Sequence, residues 1–271
     1  NRYVVWIEDR IEHLTSASSA TGRLTKIKAS VSSNGLINAI DYDQIDDVGA
    51  FLRAPEPASL YRMHGNLSGP YKVKHISCRN RVVVTNKTPT GLNRGFGGPQ
   101  HYFALERLMK KISDELQINH LDVIKINILN NNQFPYKSAA GAILDSGDYK
   151  KLISKVLKSH IYKKMITQKK EAHKKGKLYG IGFSAIIEPS ISNMGYITTA
   201  LTHKERESVG HKGGALASST VSIGPTGSVY VSCDSLPQGQ GHETILTQVV
   251  ADIFSINPDN IIVNTVLDTQ K

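Results

Sequence analysis

Cysteine is scarce in this chain: Cys78 and Cys233 are the only two in 271 residues. Neither stands in the paired spacing that zinc or iron–sulfur clusters require, so the sequence offers no thiolate cage for a metal. Each reads as a small buried residue rather than half of a disulfide. Long apolar runs are missing as well, which excludes a membrane-spanning helix, and no signal-peptide pattern opens the chain, so cytoplasm is the expected compartment and no membrane is expected as a partner. Acidic residues are outnumbered, 23 Asp and Glu against 33 Lys and Arg, for a net charge of +10. That excess raises nucleic acid as a partner. The densest basic stretch, Lys163–Lys164 through Lys169–Lys170 to Lys174–Lys175 and Lys177, has no aromatic residue after Tyr162 on which a base could stack. It reads as a solvated helix end and linker, or as a surface for acidic partner subunits, and nucleic acid is set aside. The ten histidines are scattered without metal-ligand spacing; His101, His120 and His160 fall in helical stretches, where a surface or capped imidazole is expected.

What the sequence does contain is a pair of glycine-rich loops, Arg94-Gly95-Phe96-Gly97-Gly98-Pro99-Gln100 and Gln238-Gly239-Gln240-Gly241-His242-Glu243. Each runs into an amphipathic helix. Leu105, Leu108, Met109, Ile112 and Leu116 recur at helical spacing after the first, and Ile245, Leu246, Val249, Val250 and Ile253 after the second. A helix N-terminus carries unpaired N–H groups and the positive end of the macrodipole, and glycine lets a ligand approach that backbone. Pro99 suits a first helical turn, where its missing N–H costs nothing. One such loop alone would read as a turn; two point to a grip for an anionic organic cofactor.

Alternating runs at Thr25–Ser32 and Leu36–Tyr42, joined around Asn34-Gly35, predict a hairpin. Tyr3–Ile7, Val73–Ile76 and Arg81–Thr85 read as further strands, and helices are expected at about 119–129 and 149–162. In the second half, Leu178–Ser184 opens the next run, Ala217–Ile223 pairs with Ser228–Ser232 across Gly224-Pro225-Thr226-Gly227, and Ile261–Val263 forms a late strand. The order implies an α+β fold of mixed sheets with packed helices. Its expected divisions are 1–162 as a first half, 163–177 as a lysine-rich linker, and 178–271 as the start of a second half.

The wording of both loops resembles the molybdopterin-binding large subunit of the xanthine dehydrogenase and aldehyde oxidase family, and the resemblance covers nearly the whole chain. Val5-Trp6-Ile7-Glu8-Asp9-Arg10 with Glu12-His13-Leu14 is similar to the segment after that family's first cofactor loop. Gly69-Pro70-Tyr71, Thr85-Asn86, Thr88-Pro89-Thr90-Gly91 and Asp145-Ser146-Gly147-Asp148-Tyr149 resemble the branch that includes aerobic carbon monoxide dehydrogenase. The resemblance implies a molybdenum hydroxylase acting on an aldehyde or N-heterocycle. The metal would be held by the sulfurs of the pterin, either the plain form or its cytosine dinucleotide, and electrons would leave through 2Fe–2S and FAD on partner subunits or domains. The family's earlier glycine loop and its catalytic base, a glutamate, would lie outside these residues. The chain therefore reads as the middle of a large subunit, with no catalytic residue of its own. It is expected to be inactive and empty in isolation, and to associate with itself or with the remaining parts of that subunit. A noncatalytic assembly or interaction module that keeps the fold is the alternative.

By the same resemblance, Arg94, Gly95 and Gly97, with Gln238, Gly239, Gln240 and Gly241, would bind the cofactor. The Gln240 amide offers a donor and an acceptor to a pterin edge or a metal oxo group, or else satisfies its own turn. Phe96 would project toward a small-molecule substrate, and Phe183 would face it from the opposite wall, unless Phe183 is plain core. Arg62 stands where xanthine-oxidising members stabilise negative charge on substrate, the other reading being a surface-loop arginine. Carbon monoxide dehydrogenases carry a copper-binding cysteine directly after the loop arginine. That position here is Gly95, so no soft ligand for Cu(I) is expected.

Overall fold

Strict alternation from residue 22 onward builds the first sheet, because every second side chain of a strand faces the same side. A computed structural model describes residues 2–20, 22–53, 56–93, 95, 97–187 and 218–265. The chain divides into two compact units, residues 1–210 and 211–271. In the first, β1 (Gly22–Val31) and β2 (Ile37–Asp47) pair antiparallel around the Asn34-Gly35 turn, and β3 (His75–Val83) pairs parallel to β2. Val73–Ile76 and Arg81–Thr85, expected as separate strands, thus fall mostly on one. The helix entered from the first loop, α3 (Gly98–Leu116), packs on this sheet, after α1 (Arg10–Ser16) and the single turn α2 (Ala58–Tyr61).

Between sheet and helix lies the core, formed by Ile37, Ile40, Tyr42, Met63, Tyr71, Leu105, Met109, Val123 and Ile124, all under 3% exposed. Helix α4 (His120–Asn127) closes one end of it. Asn127 is wholly buried there and donates to the carbonyls of Gly35 (2.8 Å) and Val123 (2.9 Å) while accepting from the Ile37 amide (2.8 Å). The hairpin turn is thereby fastened to α4.

Two expectations for this unit fail. Tyr3–Ile7 forms no strand and is exposed, with Trp6 78% accessible; no described strand pairs with it, and a lone strand leaves its backbone groups unsatisfied by any ladder. The single helix expected at 149–162 is two helices, α5 (Tyr149–Lys158) and α6 (His160–Lys174). Ser159 breaks them apart: its hydroxyl donates to the Val156 carbonyl (2.7 Å) and accepts from the Tyr162 amide (3.2 Å), ending one helix and capping the next. The lysine-rich stretch is therefore helical through Lys174, with its lysines exposed.

The second unit repeats the scheme in miniature. After the two-residue strands β4 (Tyr136–Lys137) and β5 (Ile143–Leu144), which pair with each other in the first unit, β6 (Ser219–Ile223) and β7 (Val229–Cys233) pair antiparallel, α7 (His242–Phe254) follows the second loop, and β8 (Ile261–Asn264) returns parallel to β7. Val229, Val231, Val250, Ala251 and Ile261 make its core. Leu178–Ser184 adopts no regular element, and Ala217 lies outside the described residues. Both cysteines are free and half-buried.

Candidate cofactor site

Gly97 caps α3 in the left-handed region (φ +82°), and the packing leaves no room there for any other residue: a Cβ would drive into the carbonyl of Ser59 on α2. Gly95 (φ +84°) is different, since among the described residues a Cβ at that position would meet only the Pro99 ring, 3.7 Å away. The Gly95 carbonyl accepts from the Gly98 amide (2.7 Å) and from Arg62 Nη1 (3.3 Å). Structure thus brings Arg62 to the loop, as a donor to loop backbone. Arg94 and Phe96 lie outside the described residues.

The second loop is built alike. Gly239 (φ +90°) and Gly241 (φ +78°) have open space where a Cβ would stand, and Gly241 caps α7. The amide of Gln240 is engaged within its own loop. Its oxygen accepts from the Gln238 backbone N–H, and its nitrogen donates to the Leu236 carbonyl (3.4 Å) and to His242 Nε2 (2.8 Å). His242 must then carry its proton on Nδ1, which donates to the Ser235 carbonyl (3.3 Å). The N-cap of each helix is a glycine and so offers no side chain to its N-terminus, although Glu243 stands in the first turn of α7. In each unit a ligand therefore meets a glycine-lined backbone and the positive end of a helix dipole.

A model of the molybdopterin cofactor-binding domain matches residues 1–128, and a second model of the same description matches residues 155–271. The chain belongs to the molybdopterin-binding large-subunit family. It is 28% identical to the nicotine 6-hydroxylase large subunit of Paenarthrobacter nicotinovorans, covering 98% of this chain and 32% of that one. It is 29% identical to the carbon monoxide dehydrogenase large chain of Afipia carboxidovorans, over 96% of this chain and 32% of that one. Among solved structures, quinoline 2-oxidoreductase from Pseudomonas putida 86 superposes with a TM-score of 0.79 at 26% identity, over 96% of this chain and 32% of that chain. The chain spans about a third of the length of the curated relatives it matches.

What this molybdopterin-binding region offers a cofactor is consistent with those matches: helix ends headed by glycine and glycines whose open sides a Cβ would fill. The first unit also places Phe183. It packs against the core and against the Tyr162 ring (centroids 5.8 Å), and it lines a cavity of about 470 Å³ shared with Pro99, Phe103 and Glu106. Phe183 is thus both core packing and cavity wall. The backbone after it is pinned to α3. Glu106 accepts from the Ala185 amide (3.1 Å) and from the Tyr71 hydroxyl (2.8 Å), and the Tyr102 hydroxyl accepts from the Ile187 amide (3.1 Å). Burial pushes the Glu106 carboxyl up to about 7, against the pull of those two hydrogen bonds.

Sequence reasoning missed this carboxylate, and it misplaced His101. That residue is not a surface or capped histidine: it is wholly buried under the first loop, its ring 5.6 Å from that of Tyr42, and burial holds its imidazole down at about 3, with Arg23 and His64 adding to the effect. It sits on the core face of α3 among Tyr102, Leu105, Leu108 and Met109, a phase that could have identified it. His120, by contrast, is half-buried and His160 exposed, each in the first turn of its helix.

Proposed function

We propose that this chain is the stretch of a molybdenum hydroxylase large subunit that binds the cofactor through its glycine loops, and that the whole enzyme oxidises an N-heterocycle or an aldehyde. The observation that carries this is the matched pair of helices, α3 and α7, each entered through a left-handed glycine that, as the N-cap, brings no side chain to the helix end. Arg94, Gly95 and Gly97 of the first loop, and Gln238, Gly239, Gln240 and Gly241 of the second, are the cofactor-binding residues. When bound, the molybdenum cofactor supplies oxygen transfer to carbon and accepts the electrons released. The chain's own residues bind and orient. Backbone N–H groups meet the anionic parts of the pterin, in its plain or cytosine dinucleotide form, and Gln240 exchanges a loop hydrogen bond for one to the ligand. Phe96 and Phe183 border the substrate, and Arg62 steadies the loop through the Gly95 carbonyl. The base glutamate, the 2Fe–2S and FAD carriers and the rest of the subunit come from outside these residues, in a cytoplasmic complex. Names of relatives that act on nicotine and quinoline support a flat N-heterocycle as the substrate class. With glycine at position 95 there is no thiolate for a copper ion, which separates this reading from carbon monoxide oxidation.

The test is made in the assembled enzyme, by molybdenum and pterin content and turnover. Gly95→Val should empty the site, because the side chain enters space the fold leaves open. Gln240→Ala should cost about 1–3 kcal/mol of cofactor binding or transition-state stabilisation. Full metal and activity in Gly95→Val would remove the first loop from the cofactor.

A further inference from the structure

The core face of the first sheet changes character along its length. At one end it presents Ile27, Ala29 and Val31 on β1, Ile40 and Tyr42 on β2 and Ile76 and Cys78 on β3. At the other, in the same phase and equally inward, it presents Arg23, Gln44, Asp46 and Asn80. This polar end lies under α2 and the first glycine loop. Arg23 and Asp46 sit directly opposite each other in the strand register, their side chains 1% and 0% exposed. Arg23 Nε and Nη2 donate to the two Asp46 oxygens at 2.5 and 2.8 Å, and Nη2 also donates to the Ser59 carbonyl at 3.3 Å.

An ion pair taken wholly out of water gives little net stability over apolar side chains of the same volume, so its presence at this spot calls for another account. The Ser59 carbonyl is the group against which Gly97 packs, closely enough to forbid a Cβ. From the same stretch of chain, Arg62 donates to the Gly95 carbonyl. Glu56 accepts from the Ser59 hydroxyl (2.7 Å) and amide (3.3 Å), which fixes how Ser59 is presented.

We propose that Arg23 and Asp46 are positioning residues for the first glycine loop: the pair anchors the Ser59 carbonyl from below, and that carbonyl sets the position of Gly97 at the head of α3. Only a planar fork can do this, since arginine can grip both carboxylate oxygens and still spare an N–H for a third acceptor, whereas a lysine that keeps the charge cannot span both. The proposal concerns the shape of the loop and holds whether or not the loop grips a pterin; its consequence for metal content rests on the function proposed above.

Amide hydrogen exchange on the full 271-residue chain tests it, read at Gly98 and His101, whose N–H groups bond to the Gly95 and Gly97 carbonyls, and at Met109 and Ile112 farther along α3. In Arg23→Lys the first two amides should exchange about tenfold faster, as for the loss of one hydrogen bond's support, while the latter two stay within about twofold of the parent. The double variant Arg23→Met, Asp46→Leu should keep or gain stability and still show the faster loop exchange; it also serves as the readout if Arg23→Lys does not fold. Unchanged exchange at Gly98 and His101 in a folded variant overturns the proposal, and so does a uniform acceleration along α3, which would make the pair a plain core support. Molybdenum content of the assembled Arg23→Lys enzyme separates the two readings. Faster loop exchange with full metal upholds the positioning role and counts against the loop as cofactor grip.

Discussion

Gly95 and Gly97 of the first loop have unequal jobs, and their substitutions should differ accordingly. At Gly95 an alanine should meet only the cost of a left-handed backbone, about 1–2 kcal/mol, because among the described residues only the Pro99 ring stands near. Gly97→Ala adds a collision with the Ser59 carbonyl and should cost at least about 3 kcal/mol in urea denaturation. Equal costs would mean that the loop lifts freely off α2. Glu106 and His101 make opposite demands on pH. Glu106 has a folded value of about 7 against an ordinary 4.5, so the folded state holds a proton that the unfolded chain releases, and this contribution to stability falls as pH rises from about 4.5 to 7. His101 has a folded value of about 3 against 6.5, so its contribution rises with pH over about 3 to 6.5. Between 4.5 and 6.5 the two slopes oppose each other. Glu106→Gln removes one of them, and thermal unfolding of that variant should gain stability relative to the parent as pH rises through this window; parallel pH profiles would contradict the buried-carboxyl account.

Asn127 shows how an element boundary can depend on one side chain. Its amide satisfies the Ile37 N–H and the Gly35 carbonyl at the hairpin turn and also the Val123 carbonyl in α4. Asn127→Ala would orphan buried groups at about 1–3 kcal/mol each, and the faster hydrogen exchange should concentrate at residues 35–37 and in α4; an unchanged rate there would show that water or a rearranged turn replaces the amide. Elements with a strong local signal were readable from sequence alone: the Asn-Gly hairpin, both glycine-headed helices and the late strand all lie where periodicity placed them. Tyr3–Ile7 misled because β-propensity describes a surface seeking a partner, not the partner's presence. The break at Ser159 was hidden inside a continuous apolar pattern, since a serine hydroxyl that bonds to backbone on both sides leaves no mark on periodicity. The site was legible in its glycines and much less so in its supports. Arg23 and Asp46 occupy core-facing positions of alternating strands, and a charge in that phase was the available signal, but the contact to Ser59 spans 36 residues and no spacing rule reaches it.

Apolar surface left uncovered marks the molecule as a whole. On α7, Ile245, Val249 and Ile253 form a stripe four residues apart and are 53%, 50% and 72% exposed, in addition to the Val250 and Ala251 side that packs on its own sheet. A helix apolar on both sides is made to be covered twice. The isolated chain should therefore self-associate at micromolar concentration, and Ile245→Lys with Ile253→Glu should return it toward monomer in light scattering without lowering the melting temperature of the second unit. A monomeric parent chain would show that the stripe is tolerated in water.

The hydrogen bonds of Gln240 stay within residues 236–242, and that of His242 reaches only to Ser235. Among the described residues, the turn that leads into α7 is thus given its shape by bonds within eight consecutive residues, and Thr265 reaches only Glu243 in the first turn of the helix (3.0 Å). Ordering entropy is spent when the unit folds and not when a ligand arrives. A ligand entering there gains nothing by organising the loop and loses nothing by having to, so its affinity depends on how well it replaces the bonds that Gln240 already makes. Discrimination between related ligands would then come from the quality of that exchange, with a misfit molecule leaving the amide bonded to its own loop.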